Sequence, residues 1–162
     1  MDTRIDMAHV TPLLFPTYLS LIEGAVGSHM FQHSYALVDG EKRDILENGD
    51  LSCAFFVSSI LTIARLAKEI HATVSGTIRD IESFGWIKID EPRVGAILVW
   101  EPKEQARGPH EHIGFCISET EAVSNNWETQ IPSRHHIKYG TNEDGSPVRA
   151  ITAIYWHPLL DA

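Results

Sequence analysis

The sequence predicts an α+β domain in which N-terminal helices pack against an antiparallel β-sheet. In the first half of the chain, apolar residues recur at the three-to-four-residue spacing of an amphipathic helix. In the second half, several short apolar or alternating segments follow one another with only turns or loops between them. No crossover helix separates these later strands, so we expect them to pair antiparallel. The length of 162 residues fits one domain, residues 1–162, with a sizeable core.

Composition and charge limit the class of partner. Hydrophobic residues make up 43% of the chain, which is typical of a globular protein, and the formal net charge of −9 argues against non-specific nucleic-acid binding. No apolar run approaches the roughly 18–20 residues that cross a bilayer, and the N-terminal segment lacks the features of a signal peptide. We therefore expect a cytoplasmic protein with reduced thiols and with neither a nucleic-acid nor a membrane partner.

The first predicted elements are a short helix and a hairpin. Residues 12–26 mix apolar and polar side chains and favour a helix that Pro16 interrupts. From Tyr35 the sequence YALVDGEKRD favours a strand, a turn at residues 39–40 and a second short strand. Residues 48–50, which read NGD, mark a further turn.

Two more helices are predicted before the strands begin. The longer one spans residues 51 to about 70, with apolar side chains at helical spacing: Phe56, Ile60, Ile63, Leu66, Ala67 and Ile70. Asp50 or Ser52 is expected to cap its start by accepting a hydrogen bond from an unpaired backbone N–H. The shorter helix spans residues 77–84 and stops at Gly85.

The rest of the chain alternates between strands and polar connections. The segments that favour strands read WIKI, GAILVW, HIGFCIS, AVSN and AITAIYW. Residues 101–111 contain two prolines and are expected to form a loop, as are the polar residues 127–147. The predicted sheet therefore consists of sequential strands.

Cys53 lies at the start of the longer helix, in the segment LSCAFFV. Unpaired backbone N–H groups and the helix dipole favour an anion at such a position. The placement is therefore expected to lower the pKa of the thiol from about 8.5 towards neutrality and to favour the nucleophilic thiolate. The alternative is a small core residue, because Ala-Phe-Phe-Val follows it.

A cysteine nucleophile needs a base within hydrogen-bond reach, and the segment HEHIGFCIS offers one. On a strand His112 and Gly114 share a face, and the glycine leaves room for a helix end to approach the imidazole. A third group usually orients the base. Strict alternation on the returning strand puts Ser124 and Asn126 on this face, whereas a one-residue bulge would bring Asn125 there instead. The choice among these residues stays open.

The histidines also admit a metal site. His110 and His112 on one strand, with His135, His136 and His71, would supply ligands of the kind that zinc prefers. Neither the helical i,i+4 spacing of a zincin nor a Cys-x-x-Cys pair is present. We therefore expect no metal and no other cofactor. His135 and His136 would instead form a small cationic rim that suits an acidic substrate group.

In order, the segments LSCAFFV, GAILVW, HIGF and AVSNN resemble the pattern of the NlpC-type and CHAP cysteine peptidases and amidases. The resemblance covers about residues 35–126. It implies a compact papain-like fold in which Cys53 is the nucleophile and His112, the histidine followed by Ile-Gly-Phe, is the base. The third catalytic position falls at or just after Ser124, which makes the two asparagines that follow it, Asn125 and Asn126, candidates.

The same resemblance implies an activity. Cys53 would cleave an amide or peptide bond, in peptidoglycan-type peptides, through a thioacyl intermediate. Tyr35 matches a tyrosine that precedes the nucleophile in such enzymes and helps to shape the substrate and oxyanion site. The expected partner is a peptide or cell-wall-derived substrate. Two alternatives are a papain-like acyltransferase or lipid-ester hydrolase, and a non-catalytic binding module of the same fold.

Overall fold

A computed structural model describes residues 9–105 and 108–162. The described residues form three α-helices: α1 (Leu14–Ala25), α2 (Cys53–Ile63) and α3 (Val74–Phe84). They also form eight strands: β1 (Tyr35–Val38), β2 (Glu41–Asp44), β3 (Ile87–Lys88), β4 (Ile97–Gln105), β5 (Gly108–Cys116), β6 (Glu121–Asn125), β7 (Pro132–His136) and β8 (Ile151–Trp156). A short 3₁₀ helix, Pro158–Asp161, follows.

The strands make two antiparallel sheets. β1 and β2 form a separate hairpin, and the other six strands pair in the order β3-β8-β4-β5-β6-β7. β4 to β7 are sequential strands that follow one another too closely for a crossover, so they pair antiparallel. The expectation of sequential strands throughout was wrong at the other end of the sheet, where β8 inserts between β3 and β4. The α+β class predicted from the sequence is confirmed.

The helices pack on one face of the six-stranded sheet. The ring of Phe115 on β5 meets those of Tyr18 on α1 and Phe56 on α2 edge to face, at centroid distances of 5.9 and 5.5 Å. Phe115 pairs with Ile97 on β4 and Val123 on β6, so these side chains share its face. All five are buried, and burial of each contributes about 1.5–3 kcal/mol, which fixes α2 against the centre of the sheet.

The opposite face of the sheet carries polar residues around one tryptophan. Strand alternation places His112 on β5 and Ser124 on β6 on this face, away from the helices. Trp100 on β4 pairs with His112 and is fully buried, and its Nε1 donates to the carbonyl oxygen of Ile137 at 2.8 Å. The segment after β7 therefore covers this face and supplies further side chains to it.

All three helices differ in part from the prediction. α3 begins at Val74 and not at residue 77. α1 runs through Pro16 without a break, because the proline lies in the first turn, where its missing N–H needs no partner. α2 ends at Ile63 and not near Ile70, because Arg65 adopts a left-handed φ of 58° that turns the chain. In the part of the chain that the structure describes, no helix is long and apolar enough to cross a bilayer.

The starts of α2 and α3 are capped differently. Thr73 precedes α3, and its side chain accepts a hydrogen bond from the backbone N–H of Gly76 at 3.1 Å. Gly85 ends α3 with a φ of 109°, as the sequence predicts. The predicted side-chain cap of α2 was wrong: Ser52 occupies the N-cap position with an αR backbone and makes no capping hydrogen bond. A capping side chain needs an extended backbone to reach the first turn.

Two segments predicted to be loops contain strands. β4 continues to Gln105 past a bulge between Trp100 and Lys103, and β5 begins at Gly108; residues 106 and 107 lie outside the described residues. β7 lies within the predicted loop 127–147 and pairs with β6 at the edge of the sheet. A polar strand is stable at an edge because one side of it faces solvent.

Candidate active site

A cavity of about 490 Å³ lies at the start of α2, where β5 and β6 separate. The pairing of these two strands ends at Gly114 and Ser124, and β5 continues beyond it towards Gly108 without β6. The cavity wall includes nine side chains with reactive or ionisable groups: Asp50, Cys53, His110, Glu111, His112, Ser124, His135, Tyr139 and Arg149. The predicted nucleophile and the predicted base therefore border the same space.

Cys53 is the first residue of α2, and its thiol lies near β5. The backbone N–H groups of Ile113, the residue next to His112, and of Ala54 favour a negative charge on the sulfur. His112 projects from the face of the sheet opposite the helices. Both residues nevertheless line the same cavity, which lies where the pairing of β5 and β6 ends.

The thiol of Cys53 is not poised as an anion. Burial raises its pKa, and this effect outweighs the lowering by the two N–H groups and by the positive charge of Arg149. The expectation that the helix start lowers this pKa is therefore wrong. The donors of one helix turn do not replace the hydration that a half-buried sulfur has lost, so Cys53 rests as a neutral thiol.

His112 rests in the neutral form as well. Burial, together with the nearby positive charge of Arg149 and the second imidazole of His135, lowers its pKa from 6.5 to about 3. The ring packs at 5.6 Å from that of Trp100, which removes one side of it from water. The imidazole is therefore unprotonated at neutral pH and is a weaker base than an exposed histidine.

A chain of hydrogen bonds fixes the orientation of the His112 ring. Its Nε2 lies 2.8 Å from Oγ of Ser124, and the same Oγ lies 2.7 Å from Nε2 of His135 and 3.1 Å from the Tyr139 hydroxyl. Nδ1 of His135 lies 2.9 Å from the carbonyl oxygen of His136. One hydroxyl thus connects two imidazoles and a phenol.

The proton positions in this chain follow from the backbone carbonyl at its end. A carbonyl only accepts, so neutral His135 is protonated on Nδ1, and its Nε2 accepts from the Ser124 hydroxyl. Ser124 has then used its only proton and must accept from Nε2–H of His112 and from Tyr139. We therefore assign His112 as the Nε2–H tautomer, with a lone pair on Nδ1.

The two candidate asparagines make other bonds. Nδ2 of Asn125 donates to the carbonyl oxygen of Gly49 at 2.7 Å, and Oδ1 of Asn126 accepts from the backbone N–H groups of Glu128 and Thr129 at 2.8 and 3.1 Å. The side chain that bonds His112 is Ser124. Strict alternation without a bulge, one of the two registers that the sequence left open, is the one observed.

Gly114 is the residue that lets Ser124 come this close. A Cβ at Gly114 would lie 2.6 Å from the Val123 carbonyl oxygen, 2.7 Å from Cβ of Ser124 and 3.1 Å from the Trp100 ring. Gly114 thus makes room for the neighbouring strand β6 and for Trp100. The prediction that it leaves room for a helix end was wrong.

Tyr35 lies away from the cavity. It is 60% exposed on the β1–β2 hairpin, stacks on His33 at 6.0 Å and sits under the ammonium of Lys42 at 4.5 Å. The residues that line the cavity do not include it. The structure places Cys53 and His112 in the wall of one cavity, and Tyr35 outside it.

Two cavity residues were not singled out in the sequence, and a third was interpreted differently. Tyr139 stacks on His135 at 4.1 Å, and burial raises the pKa of its hydroxyl to about 12, so it stays a hydrogen-bond donor. Arg149 is buried. Both lie in or beside a segment that looked like a loop, where no periodicity marks them. His135 could have been found from the alternation of β7, once that strand was recognised.

No group of three or more His, Cys, Asp or Glu side chains in residues 9–105 and 108–162 is arranged to hold a metal ion. Comparison of the chain with protein-family models found no match, and comparison with curated proteins found none either. The interpretation of the site therefore rests on its own geometry and chemistry.

Proposed function

We propose that the protein is a papain-like cysteine hydrolase that cleaves an amide or peptide bond. One observation carries the proposal: Cys53, at the start of a helix, borders one cavity with the imidazole of His112, whose Nε2 lies at hydrogen-bond distance from a hydroxyl. A nucleophile, a base and a group that orients the base are the parts that such a reaction needs.

The first half of the reaction transfers the acyl group to the enzyme. His112 Nδ1 takes the proton of the Cys53 thiol as the sulfur attacks the carbonyl carbon, so no thiolate needs to exist beforehand. The C–N bond then breaks, and the imidazolium returns its proton to the leaving amine. Both partners are neutral at rest, and the lowered pKa of His112 and the raised pKa of Cys53 oppose this transfer, so the imidazolium has to be stabilised as the reaction proceeds.

The second half releases the acyl group. Water attacks the thioester, His112 accepts one of its protons, and the thiol is regenerated together with a carboxylic acid. In both halves the developing oxyanion needs backbone donors. The first turn of α2 supplies the N–H groups of Cys53 and Ala54, because no side chain caps this helix start.

The polar part of the cavity wall suits a peptide. The wall includes the polar side chains of His110, Asn125 and Asn126 and the apolar side chains of Leu51 and Val74. Peptidoglycan-type peptides, which carry many amide and acid groups, match such a wall better than an acyl chain does. The single long apolar side chain that is strongly exposed at this cavity is Trp127, at 69%.

The test is cleavage of purified peptidoglycan fragments, followed by mass spectrometry of the products. We expect the wild-type protein to release products with a new amine and a new acid, and Cys53→Ala to release none. His112→Gln should slow the reaction by about 10²–10⁴-fold, because general acid–base catalysis contributes that much.

Cys116→Ala is the matched control. Cys116 is the second free cysteine; it is buried and its thiol donates to the carbonyl oxygen of Ser118. Its replacement should leave cleavage unchanged. If wild type and Cys53→Ala behave alike towards peptides and esters, the protein is a binding module and the hydrolase proposal fails.

A further inference from the structure

Arg149 is a buried cation that borders the cavity beside Cys53. The residue is 7% exposed, and its guanidinium lies 6.0 Å from the centre of the Tyr139 ring. Nε donates to the carbonyl oxygen of Glu101 and Nη2 to that of His110, each at 2.9 Å. These bonds hold the guanidinium in place but do not neutralise its charge.

No carboxylate among the described residues forms an ion pair with Arg149. The nearest acid along its hydrogen bonds is Glu101, whose Oε1 accepts instead from the backbone N–H of Ala150 at 2.9 Å. A buried charge is costly unless it is paired, and arginine has five N–H donors, of which these bonds occupy two. Asp50 and Glu111 also line the cavity, but the guanidinium has no ion-pair partner among the described residues and has donors to spare.

Asn125 also lines the cavity and is 3% exposed. Its Oδ1 has no hydrogen-bond partner in the part of the chain that the structure describes, but this oxygen is itself fully buried and not exposed to the cavity. The group that offers hydrogen bonds to a ligand is therefore the guanidinium of Arg149.

We propose that Arg149 binds a carboxylate of the substrate close to the scissile bond, so that the substrate is an acidic amide or peptide. The planar guanidinium suits a carboxylate, with which it forms paired charge-assisted hydrogen bonds. The inference rests on the proposed function for the identity of the scissile bond. Anion binding next to the Cys53 thiol can be measured without any hydrolysis.

The experiment compares two alkylating agents that differ only in charge. Iodoacetate carries a carboxylate, and iodoacetamide is its neutral counterpart. We measure the rate at which each labels Cys53 at about pH 8.5, relative to its rate with N-acetylcysteine. In the wild type the iodoacetate-to-iodoacetamide ratio should exceed that of N-acetylcysteine by about tenfold or more, the effect of one charge-assisted hydrogen bond.

Arg149→Met should return this ratio to that of N-acetylcysteine, whereas Arg149→Lys should keep part of it. Arg134→Met is the matched control, because Arg134 is an exposed arginine on β7 that pairs with Glu23 away from the cavity. The ratio also separates substrate binding from a general effect on the thiol, since a change in the pKa of Cys53 alters both rates alike.

A second measurement uses the wild type alone, in case Arg149→Met does not fold. Glutarate should protect Cys53 from iodoacetamide, and its diamide should not. A wild-type ratio equal to that of N-acetylcysteine, or equal protection by both compounds, would overturn the anion site. If the protein cleaves neutral peptides and its labelling ratio equals that of N-acetylcysteine, the anion site is refuted and the hydrolase proposal stands. If the labelling ratio is high and no peptide is cleaved, the anion site stands and the hydrolase proposal is refuted.

Discussion

Ser124 organises the candidate site through a single hydroxyl group. It donates to His135 and accepts from His112 and Tyr139, so its capacity for hydrogen bonds is used in full. The residue is 1% exposed, and its single proton is donated to His135. Its role is to orient the base.

This role predicts that Ser124→Ala lowers kcat by about 10–100-fold, the scale expected for a lost orienting hydrogen bond to a charged transition state. Asn126→Ala should keep kcat within about twofold, because its side chain bonds only the following turn. Steady-state kinetics on a cleaved peptide gives both values.

The ¹⁵N shifts of the His112 ring add an independent measure: in Ser124→Ala the two neutral tautomers of His112 should both be populated. An unchanged ring spectrum would show that Ser124 does not set the tautomer.

At the scale of elements, the unusual start of α2 is the feature that the site uses. Ser52 is fully buried, makes no capping bond, and its Oγ has no partner within the described residues. α3, in contrast, has a conventional cap at Thr73. A helix start without a side-chain cap keeps its N–H groups for the Cys53 sulfur and, in the proposed reaction, for the oxyanion.

The two caps make opposite predictions for stability. Thr73→Ala should lower the free energy of unfolding by about 1 kcal/mol, because it removes a capping hydrogen bond. Ser52→Ala should leave that free energy unchanged or raise it slightly, since it removes a buried hydroxyl without a partner. Urea unfolding of the three proteins gives the comparison. A loss in Ser52→Ala as large as that in Thr73→Ala would contradict the assignment of the cap.

At the scale of the whole molecule, the buried imidazoles couple folding to pH. Burial lowers the pKa of His112 from 6.5 to about 3 and lowers that of His135 as well. Burial acts to raise the pKa of Asp44, but hydrogen bonds from backbone N–H groups and from His33 hold it at about 2. Protonation of the two histidines therefore affects the stability of the fold at higher pH than protonation of Asp44 does.

The sign follows from the direction of the shifts. A histidine whose pKa is lower in the folded than in the unfolded protein stabilises the folded state at pH values above its unfolded-state pKa. This stabilisation is lost as the pH falls from about 6.5 towards 3. We expect Tm to fall between about pH 6.5 and 4.5, where Asp44 stays ionised, and the slope to be smaller in His112→Gln. Calorimetry across this range measures it. An identical slope in the variant would show that His112 does not contribute.

Local patterns in the sequence predicted most of the secondary structure. Helical periodicity located α2, and the alternation in HIGFCIS located β5, because both depend only on neighbouring residues. The polar strand β7 was missed because at a sheet edge hydrogen bonding to one neighbour, not apolar burial, holds the strand. The end of α2 was misplaced for a similar reason: the left-handed turn at Arg65 has no signature in its sequence.

What the sequence determined by itself is the α+β class, the placement of Cys53 at a helix start and the placement of His112 on a strand. Only the tertiary structure decided that Ser124 bonds that imidazole, that the thiol rests neutral, and that Arg149 lies beside it. The reason is physical. Periodicity is a property of adjacent residues, whereas register, burial and the field of a distant charge exist only once the strands and helices have packed.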